Sequence, residues 1–405
     1  MKLENKLLVQ DLSVKNKRVL LRVDYNVPLN KGGSIADNTR ILASLPTIKY
    51  LLESGSSILI MSHLGKPKGK LESNLSLKVC AEELSKLLNK TVFFEKDYLG
   101  SKANTRLLSL NPGEILVLEN LRFHPAEENP DLDTTFAYQL STLGDCYIND
   151  AFGCAHRDHS SITRLARYFP SDAALGFLMQ KEISALSQTF DHPRIPFFAV
   201  VGGAKVSSKL GVLFKLSSKA QAFFIGGGMC YTFLKALGKE IGDSLCEDKL
   251  ISEAEKFINT CHIKNIDIFL PDDVLISPSD NINGSFKIIH TQSGIPKGWS
   301  GVDIGPATIC SWSEKMLKAK TIFWNGPMGI FEIPEFALGT KEIASAIARN
   351  KNCVSIIGGG DSVAAINSMK MQASFSHIST GGGASLEFIE KGTLPGIEAL
   401  TNKNK

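Results

Sequence analysis

Residues 354–366 read VSIIGGGDSVAAI, and this stretch decides the fold class. A short run of β-branched and apolar residues ends in three glycines, an acid follows, and small apolar residues then alternate with polar ones. A buried parallel strand joined to a surface helix by a tight glycine turn has this pattern. The same order of apolar run, turn and helical segment recurs along the chain, which indicates a doubly wound α/β fold.

The length of 405 residues exceeds the usual size of one hydrophobic core, so we expect two domains. The predicted strands are 19–26, 57–63, 92–95, 115–120 and 146–149 in the first half, then 196–202, 222–226, 267–270, 321–325, 354–357 and 377–379. The predicted helices are 38–53, 76–88, 178–190, 246–263, 336–349 and 362–371, and Pro46 predicts a kink or a restart in the first. The alternation of predicted strands and helices is interrupted between about residues 168 and 196, where two prolines lie close together, so we place the domain junction there.

The composition argues against several classes of protein. Lys+Arg 45 against Asp+Glu 41 gives a net charge of +4, which is too balanced to predict nucleic-acid binding. We find no run of 18 apolar residues and no secretory signal, so we expect no membrane span and no export. The 8 cysteines form no CxxC pair, and free buried thiols in a reducing cytoplasm are the simplest interpretation.

Glycine follows five strands of the second half, where ligands bind in an open parallel sheet. The turns read GGAKVSSK at 202–209, GGGMCYTFLKALG at 226–238, NGPMGIFE at 325–332, GGGDSVAAI at 358–366 and TGGGASLEFIEKG at 380–392. Such turns let backbone N–H groups approach a phosphate, although a single one is often only a tight connection. Five together predict a phosphate-rich ligand. Neither the dinucleotide nor the P-loop pattern occurs, so a nucleotide would be held in another way.

Two charged features accompany these glycines. Lys205 and Lys209 are four residues apart at the start of a predicted helix, which would put both on one face, either around a polyanion or simply in solvent. Asp361 follows GGG directly. It could cap the helix, or it could hold Mg²⁺ beside a phosphate while Ser362 provides the cap.

The strand ends of the first half carry Arg, Lys and His instead of glycine. Each of these could be a structural or surface residue, but four such strand ends meeting at one sheet edge predict an anion pocket. The residues concerned are Arg22, Asp24 and Asn26 in RVDYNVP, Arg40 in the first helix, His63 and Lys66 in SHLGKPKG, Arg122 in ENLRFH, and His156 and Arg157 in NDAFGCAHR.

These stretches resemble, in order, the motifs of the phosphoglycerate kinase family, as do LPDDV, DIGP and STGGGASLEFIEKGTLPGIEAL. The resemblance runs from residue 22 to residue 400. It implies two Rossmann-like doubly wound parallel-sheet domains joined by a helix and hinge. The phosphoglycerate-binding domain would span 1–176, the connecting helix 177–190 and the nucleotide-binding domain 191–392, with a tail of about 393–405 packing back on the first domain.

The resemblance also implies the activity, which is transfer of a phosphoryl group from 1,3-bisphosphoglycerate to ADP with Mg²⁺, giving 3-phosphoglycerate and ATP. The implied catalytic residues are Arg40, Lys205, Gly382 and Gly383. Phosphoglycerate would bind Asp24, Asn26, Arg40, His63, Lys66, Arg122 and Arg157. The nucleotide would bind Lys209, Gly227, Gly228, Gly301, Asn325, Glu332, Gly359, Gly360, Asp361 and Ser362, with Asp361 on the metal. The family implies a monomer that acts on small molecules after domain closure.

One departure from the family pattern concerns Lys66, where Arg is common, because lysine keeps the charge but loses the bidentate fork. Two competing hypotheses share the architecture. An NAD-dependent dehydrogenase would need a GxGxxG turn, which is missing. A non-catalytic binding protein would be expected to lack Asp361, Lys205 or Arg40, and all three are present.

Overall fold

The computed structural model describes residues 5–99, 109–282 and 285–403. The chain divides into two compact units. The first comprises the described residues of Met1–Ser184 and Lys391–Lys405, and the second comprises Ala185–Glu390. The helix that we predicted at 178–190 is present over Phe177–Asp191, and the division between the units falls within it.

Each unit is built around a six-stranded parallel sheet. Counting the described strands in chain order, those of the first unit are β1 Arg18–Val23, β2 Ser57–Met61, β3 Val92–Glu95, β4 Ile115–Leu118, β5 Cys146–Asp150 and β6 Ala173–Leu175. Those of the second unit are β7 Phe197–Val201, β8 Ala222–Ile225, β9 Asp267–Phe269, β10 Asp273–Pro278, β11 Lys287–His290, β12 Trp299–Ile304, β13 Thr321–Asn325, β14 Val354–Gly358 and β15 His377–Ile378.

The strand orders place β1 and β7 inside their sheets. The first sheet runs β3-β4-β2-β1-β5-β6 and the second runs β15-β14-β13-β7-β8-β9. Every residue of β2, β4 and β5 is buried, as is every residue of β8 and β13, because helices cover both faces of a parallel sheet. The order reverses direction beside the central strands, and this is where an open α/β sheet offers a crevice at its carboxyl edge.

The described α-helices alternate with these strands. In chain order they are α1 Thr39–Glu53, α2 Lys78–Leu88, α3 Pro125–Glu128, α4 Phe136–Ser141, α5 Phe177–Asp191, α6 Leu210–Leu216, α7 Cys230–Ala236, α8 Ile251–Ile263, α9 Pro306–Met316, α10 Leu338–Arg349, α11 Gly360–Ser368, α12 Gly383–Lys391 and α13 Pro395–Glu398. None of the helices in these described ranges is both long enough and apolar enough to span a bilayer.

Of the kink or restart predicted at Pro46, the restart does not occur, because α1 runs unbroken through that residue. Proline has no N–H, so the carbonyl of Leu42, one turn earlier, loses its helical partner. Leu42 is 44% exposed, so water can satisfy that carbonyl from outside. The exposure of the preceding turn therefore makes the proline tolerable inside the helix.

The prediction missed two features of the sheets. One is β6, an edge strand of three residues that pairs with β5. The other is a three-stranded antiparallel sheet of the second unit, in the order β11-β10-β12. Both are hard to see in the sequence because β6 is very short and β11 is exposed along most of its length, so neither gives a long apolar run.

The last described residues pack on the first unit. Lys6 donates from Nζ to the carbonyl of Leu400 over 2.6 Å, and Leu7 donates from its backbone N–H to Thr401 over 2.9 Å. The amide of Gly396 donates to Ala155 over 2.8 Å. Ile397 is fully buried. This segment is thus joined to the first unit by both backbone hydrogen bonds and apolar burial.

Candidate functional site

The first unit gathers basic side chains at the carboxyl edge of its sheet. Asp24 follows β1, and its carboxylate forms an ion pair with Arg40 from the first turn of α1. The side chain of Arg40 is 36% exposed, against 10% for Asp24. The acid therefore holds the guanidinium in place while part of it stays open to a ligand.

The loop after β2 is tied to two of the predicted site residues. Asn26 accepts the backbone N–H of Gly65 over 2.8 Å at its Oδ1 atom. Arg122 donates from Nη1 to the carbonyl of Gly65 over 2.8 Å, and its Nε lies 3.1 Å from Glu128. The same loop carries Lys66, whose side chain is exposed. Asn26 and Arg122 thus fix the backbone beside Lys66, but the lysine itself is not held.

Two histidines of this cluster are kept neutral by burial and by surrounding cations. Burial lowers the pKa of His63 well below its ordinary value, and Arg22, Arg122 and Arg40 lower it further. Burial also lowers the pKa of His159 to about 3, helped by Arg122, Arg22 and Arg157. The positive charge around these histidines therefore comes from the arginines and not from the imidazole rings.

A metal ion does not fit this cluster. Side-chain ligand atoms of Asp24, His63 and Cys154 lie within 4.8 Å of one another. However, Asp24 is already paired with Arg40, and burial raises the pKa of the Cys154 thiol to about 12. A cation would meet an un-ionised thiol and several guanidinium groups, so we assign no metal here.

The second unit contains a cavity of about 320 Å³ at the carboxyl ends of β7, β13 and β14. Its walls are the three glycine turns at 203–209, 325–326 and 359–362, together with the start of α12. The residues lining it are Gly203, Ala204, Lys205, Ser208, Lys209, Asn325, Gly326, Gly359, Gly360, Asp361, Ser362, Gly382, Gly383 and Leu386. Two helix starts, α11 at Gly360 and α12 at Gly383, therefore face this cavity with their free N–H groups.

Two polar side chains in this cavity are poised for an anion. Lys209 is half-buried and donates from Nζ to Oδ1 of Asn325. Burial lowers the pKa of Lys209 to about 8, although Asp361 opposes the shift. The buried Nδ2 atom of Asn325 has no hydrogen-bond partner among the described residues. An unsatisfied donor is costly, and a phosphate oxygen would satisfy it.

A smaller cavity of about 180 Å³ adjoins the first, because both are lined by Gly203, Ala204 and Asp361. Its remaining walls are mostly apolar or glycine, with one carboxylate, Glu332, among them. They are Gly227, Gly228, Tyr231, Leu245, Gly301, Val302, Pro327, Met328, Gly329, Ile330, Phe331 and Glu332. A flat apolar group with a polar edge suits such a slot.

Close backbone contacts require glycine where the turns meet. Gly227 has φ +62°, and a Cβ there would lie 2.7 Å from the carbonyl oxygen of Pro327 and 2.9 Å from that of Gly203. Gly359 has φ +92°, and a Cβ there would lie 2.8 Å from Nδ2 of Asn325. The glycine repeats thus let neighbouring turns approach each other as well as a ligand.

The structure corrects one interpretation of the sequence. We predicted that Lys205 and Lys209 share a helical face, but α6 begins only at Leu210. The preceding segment forms turns, in which the backbone N–H of Lys209 bonds to Val206 and Ser207 bonds to Glu247 through both its N–H and its hydroxyl. These local bonds compete with a helix. Both lysines nevertheless line the larger cavity.

The structure also decides how α11 begins. Gly359 is the N-cap and no side chain caps the helix, so neither Asp361 nor Ser362 takes that part. Ser362 is buried, and its hydroxyl accepts the N–H of Gly326 from the neighbouring turn. Asp361 is exposed in the first turn of α11 and lines both cavities. Its carboxylate is therefore available to a ligand.

Several lining residues had no signal in the sequence. Tyr231 and Leu245 line the smaller cavity and Leu386 lines the larger one. The sequence cannot show this, because an apolar residue of a helix or loop has the same local pattern whether it lines a cavity or packs in the core. In the first unit, Arg22 is fully buried against Glu127 instead of lining an open pocket, as its place at a strand end suggested. Only the packing of distant segments reveals these roles.

Comparisons with known proteins agree with this architecture. A family model described as phosphoglycerate kinase matches residues 9–392. The chain belongs to the phosphoglycerate kinase family. Its curated relatives include the phosphoglycerate kinases of Moorella thermoacetica, 47% identical over 98% of this chain and 100% of the relative, and of Dictyoglomus turgidum, 48% identical over 98% of each. A solved phosphoglycerate kinase structure from Coxiella burnetii has a TM-score of 0.85 and is 38% identical, covering 97% of this chain and 98% of its own.

Membership of the phosphoglycerate kinase family confirms the resemblance, the α/β fold and the type of enzyme. The protein is a phosphotransferase of glycolysis that moves a phosphoryl group between 1,3-bisphosphoglycerate and ADP. A dehydrogenase is excluded.

Proposed function

We propose that the second unit binds the nucleotide through its two adjoining cavities. The observation that carries this proposal is the larger cavity, where two helix starts, Lys209 and the unsatisfied amide of Asn325 converge. These are donors for phosphate oxygens. The smaller, mostly apolar cavity would take the adenine, and Glu332 would meet the ribose hydroxyls. ATP and ADP are then the nucleotides of a domain that spans 191–392.

We propose that Mg²⁺ accompanies the nucleotide on Asp361. The residue fits the ion, because its exposed carboxylate lies at the junction of both cavities and magnesium takes one or two carboxylates with phosphate oxygens. When bound there, the ion would neutralise charge on the phosphates. Lys205 and Lys209 supply the remaining cations of this cavity.

The basic cluster of the first unit would bind phosphoglycerate, in a domain that spans 1–176 with the tail 393–405. We assign this role to Asp24, Asn26, Arg40, His63, Lys66, Arg122 and Arg157. Guanidinium groups recognise carboxylate and phosphate in a bidentate manner, and three of these residues are arginines. Lys66 is exposed and provides charge without that geometry.

The reaction needs charge compensation more than proton transfer. The acceptor in the direction of ATP use is a carboxylate, which is ionised at neutral pH and needs no general base. Phosphoryl transfer therefore depends on positioning and on cations around the equatorial oxygens. We propose that Arg40, Lys205 and the N–H groups of Gly382 and Gly383 supply this stabilisation once the domains close. Scattering measurements with both ligands, compared with either alone, test the closure.

A turnover assay tests the catalytic role of Arg40. Arg40→Ala should lower kcat by about 10³-fold or more, because a cation that completes a phosphoryl-transfer site has that value. A coupled assay of ATP formation from 1,3-bisphosphoglycerate measures it. Arg18→Ala is the matched control, since Arg18 pairs with Asp145 at the opposite end of β1. Near-normal turnover in folded Arg40→Ala would remove Arg40 from catalysis.

We also propose a monomer of the cytoplasm. All eight cysteines are free, and seven of them are wholly or partly buried, which suits a reducing compartment. A glycolytic role is consistent with that location. Sedimentation of the purified protein tests the monomer.

A further inference from the structure

Arg22 and His63 contact each other in the interior of the first unit. Nη2 of Arg22 lies 3.3 Å from Nδ1 of His63. A guanidinium group can only donate hydrogen bonds, so Nδ1 must be the acceptor. A neutral imidazole carries one proton, which then resides on the other nitrogen, Nε2. The contact therefore selects one of the two tautomers of His63.

We propose that Arg22 is a positioning residue that fixes His63 as the neutral Nε2–H tautomer and so makes it a hydrogen-bond donor for the phosphoglycerate anion. This inference rests on the proposed role of His63 in phosphoglycerate binding. It gives Arg22 a function in the reaction although its own side chain is fully buried and lies out of reach of solvent.

The guanidinium of Arg22 is held by a closed set of buried partners. Its Nε donates to the hydroxyl of Ser161 over 2.8 Å, and its Nη1 donates to the carbonyl of Val23. Glu127 lies 3.7 Å from Nη2, and Glu127 itself accepts the hydroxyl and the N–H of Ser161 over 2.6 and 3.0 Å. Because each group has a partner, Arg22 cannot turn away from His63 without leaving a buried charge unpaired.

The charges that face His63 keep the ring neutral. Arg22 approaches from β1, Arg40 from α1 and Arg122 from the segment after β4, and the neutral ring of His159 is a further basic group nearby. Together with burial, which is the largest cause, they hold the pKa of His63 well below its ordinary value. Asp24 is the nearby acidic group, and the un-ionised thiol of Cys154 lies beside it. The Cys154 sulfur lies 3.9 Å from Nδ1, so its thiol can also donate to that nitrogen.

A neutral donor has a consequence for binding that an imidazolium would not have. If His63 meets its ligand through Nε2–H, the anion is bound without uptake of a proton by this ring. The affinity for 3-phosphoglycerate should then be insensitive to the titration of His63 around neutral pH. A cationic His63 would instead make binding weaken as the pH rises through about 6.5, the ordinary histidine value.

Nitrogen NMR of the ligand-free, full-length protein tests the tautomer directly. With ¹⁵N-labelled histidine, and with His63→Gln to assign the signals, Nδ1 of His63 should show the shift of an unprotonated nitrogen and Nε2 that of a protonated one. A ring protonated at both nitrogens, or on Nδ1 alone, at about pH 7 would overturn the proposal. This measurement needs neither substrate nor a variant of Arg22.

Variants of Arg22 test whether it sets the tautomer. Arg22→Met combined with Glu127→Gln removes the donor without leaving a lone buried charge. This double variant should allow both tautomers, seen as a shift of the Nδ1 and Nε2 signals toward a mixture, and should raise the KM for 3-phosphoglycerate. Arg22→Lys should restore the original signals because it keeps a donor. The matched control, Arg18→Met with Asp145→Asn, removes another ion pair of β1 and should change neither.

The outcomes separate this inference from the proposed function. If the double variant at Arg22 and Glu127 keeps the Nε2–H signals, Arg22 does not set the tautomer. If that variant fails to fold, the measurement on the wild-type protein and on Arg22→Lys still decides. If instead His63→Gln leaves the affinity for 3-phosphoglycerate unchanged, the proposed site fails, whatever the tautomer is.

Discussion

At the scale of single residues, the sequence predicted the chemistry of the site better than the geometry of its members. Charges and glycines at strand ends are local features, so Asp361 and Lys209 could be picked out from their turns, whereas Asn325 came only from the family resemblance. All three line one cavity. The burial of Arg22 against Glu127 could not be predicted, because it depends on how distant segments pack. The prediction that Lys205 and Lys209 share a helical face was wrong for the same reason, because Glu247 accepts a hydrogen bond from Ser207 and stabilises a turn there.

A buried acid makes stability depend on pH. Burial raises the pKa of Asp150 to about 7, and its Oδ2 atom has no hydrogen-bond partner among the described residues. The folded-state pKa lies above the unfolded value of 3.8. Ionisation of Asp150 therefore lowers the free energy of unfolding as the pH rises from about 4 to about 7, and it causes no further loss above about pH 7.

Asp150→Asn should remove this loss. The amide stays neutral and can still accept the N–H of Met179, so the variant should be about 1–4 kcal/mol more stable than the wild type at neutral pH and similar near pH 4. Urea unfolding as a function of pH measures the difference. If the free energy of unfolding changes with pH to the same extent in both proteins, Asp150 is ionised in the folded protein at neutral pH and the expectation is wrong.

At the scale of secondary structure, long apolar strands and their helices were predictable and short antiparallel strands were not. The parallel strands β2, β4 and β13 are apolar apart from their end residues, because both faces of the sheet are covered. Strand β11 lacks such a run, and its pairing with β10 is fixed by tertiary contacts rather than by its own sequence. The turns between elements form most of the lining of the two cavities in the second unit.

A pair of glycine substitutions separates backbone strain from loss of the site. Gly227 and Gly238 both have positive φ, +62° and +74°. A Cβ at Gly227 would collide with two neighbouring turns, whereas nothing lies within 4 Å of one at Gly238. Gly238→Ala should cost only about 1–3 kcal/mol of strain and leave ADP binding unchanged.

Gly227→Ala should introduce the same backbone strain, and it should also push apart the turns that line the two cavities. We expect a fall of about 10-fold or more in affinity for ADP, with unchanged affinity for 3-phosphoglycerate, because the displaced N–H groups no longer converge on the phosphates. Calorimetric titration with each ligand measures both. Equal ADP affinities in the two variants would mean that these turns do not contact the nucleotide.

At the scale of the whole chain, the division into two units follows from length, but the return of the last residues to the first unit has no local signal. We infer it in the sequence only from the family resemblance. The structure shows the contacts that secure it, namely Lys6 with Leu400, Leu7 with Thr401 and Gly396 with Ala155. These contacts make the first unit discontinuous in sequence.

Deletion of residues 393–405 should destabilise the first unit selectively. It removes buried Leu394, Ile397 and Leu400 and leaves the ammonium group of Lys6 without its carbonyl partners. Loss of three buried aliphatic side chains costs several kcal/mol, at about 1.5–3 kcal/mol each. Hydrogen exchange should therefore rise in β1, β5 and β6 and stay unchanged in β7, β8 and β13. A uniform rise in both sheets would contradict this expectation.

The discontinuous first unit has a consequence for how the protein is made. Because Pro395–Glu398 follows every residue of the second unit in the chain, the packing of Gly396 against Ala155 and Ile162 cannot form until the second unit has also been synthesised. Although its sheet is synthesised first, the first unit can therefore reach its complete native fold no earlier than the second unit.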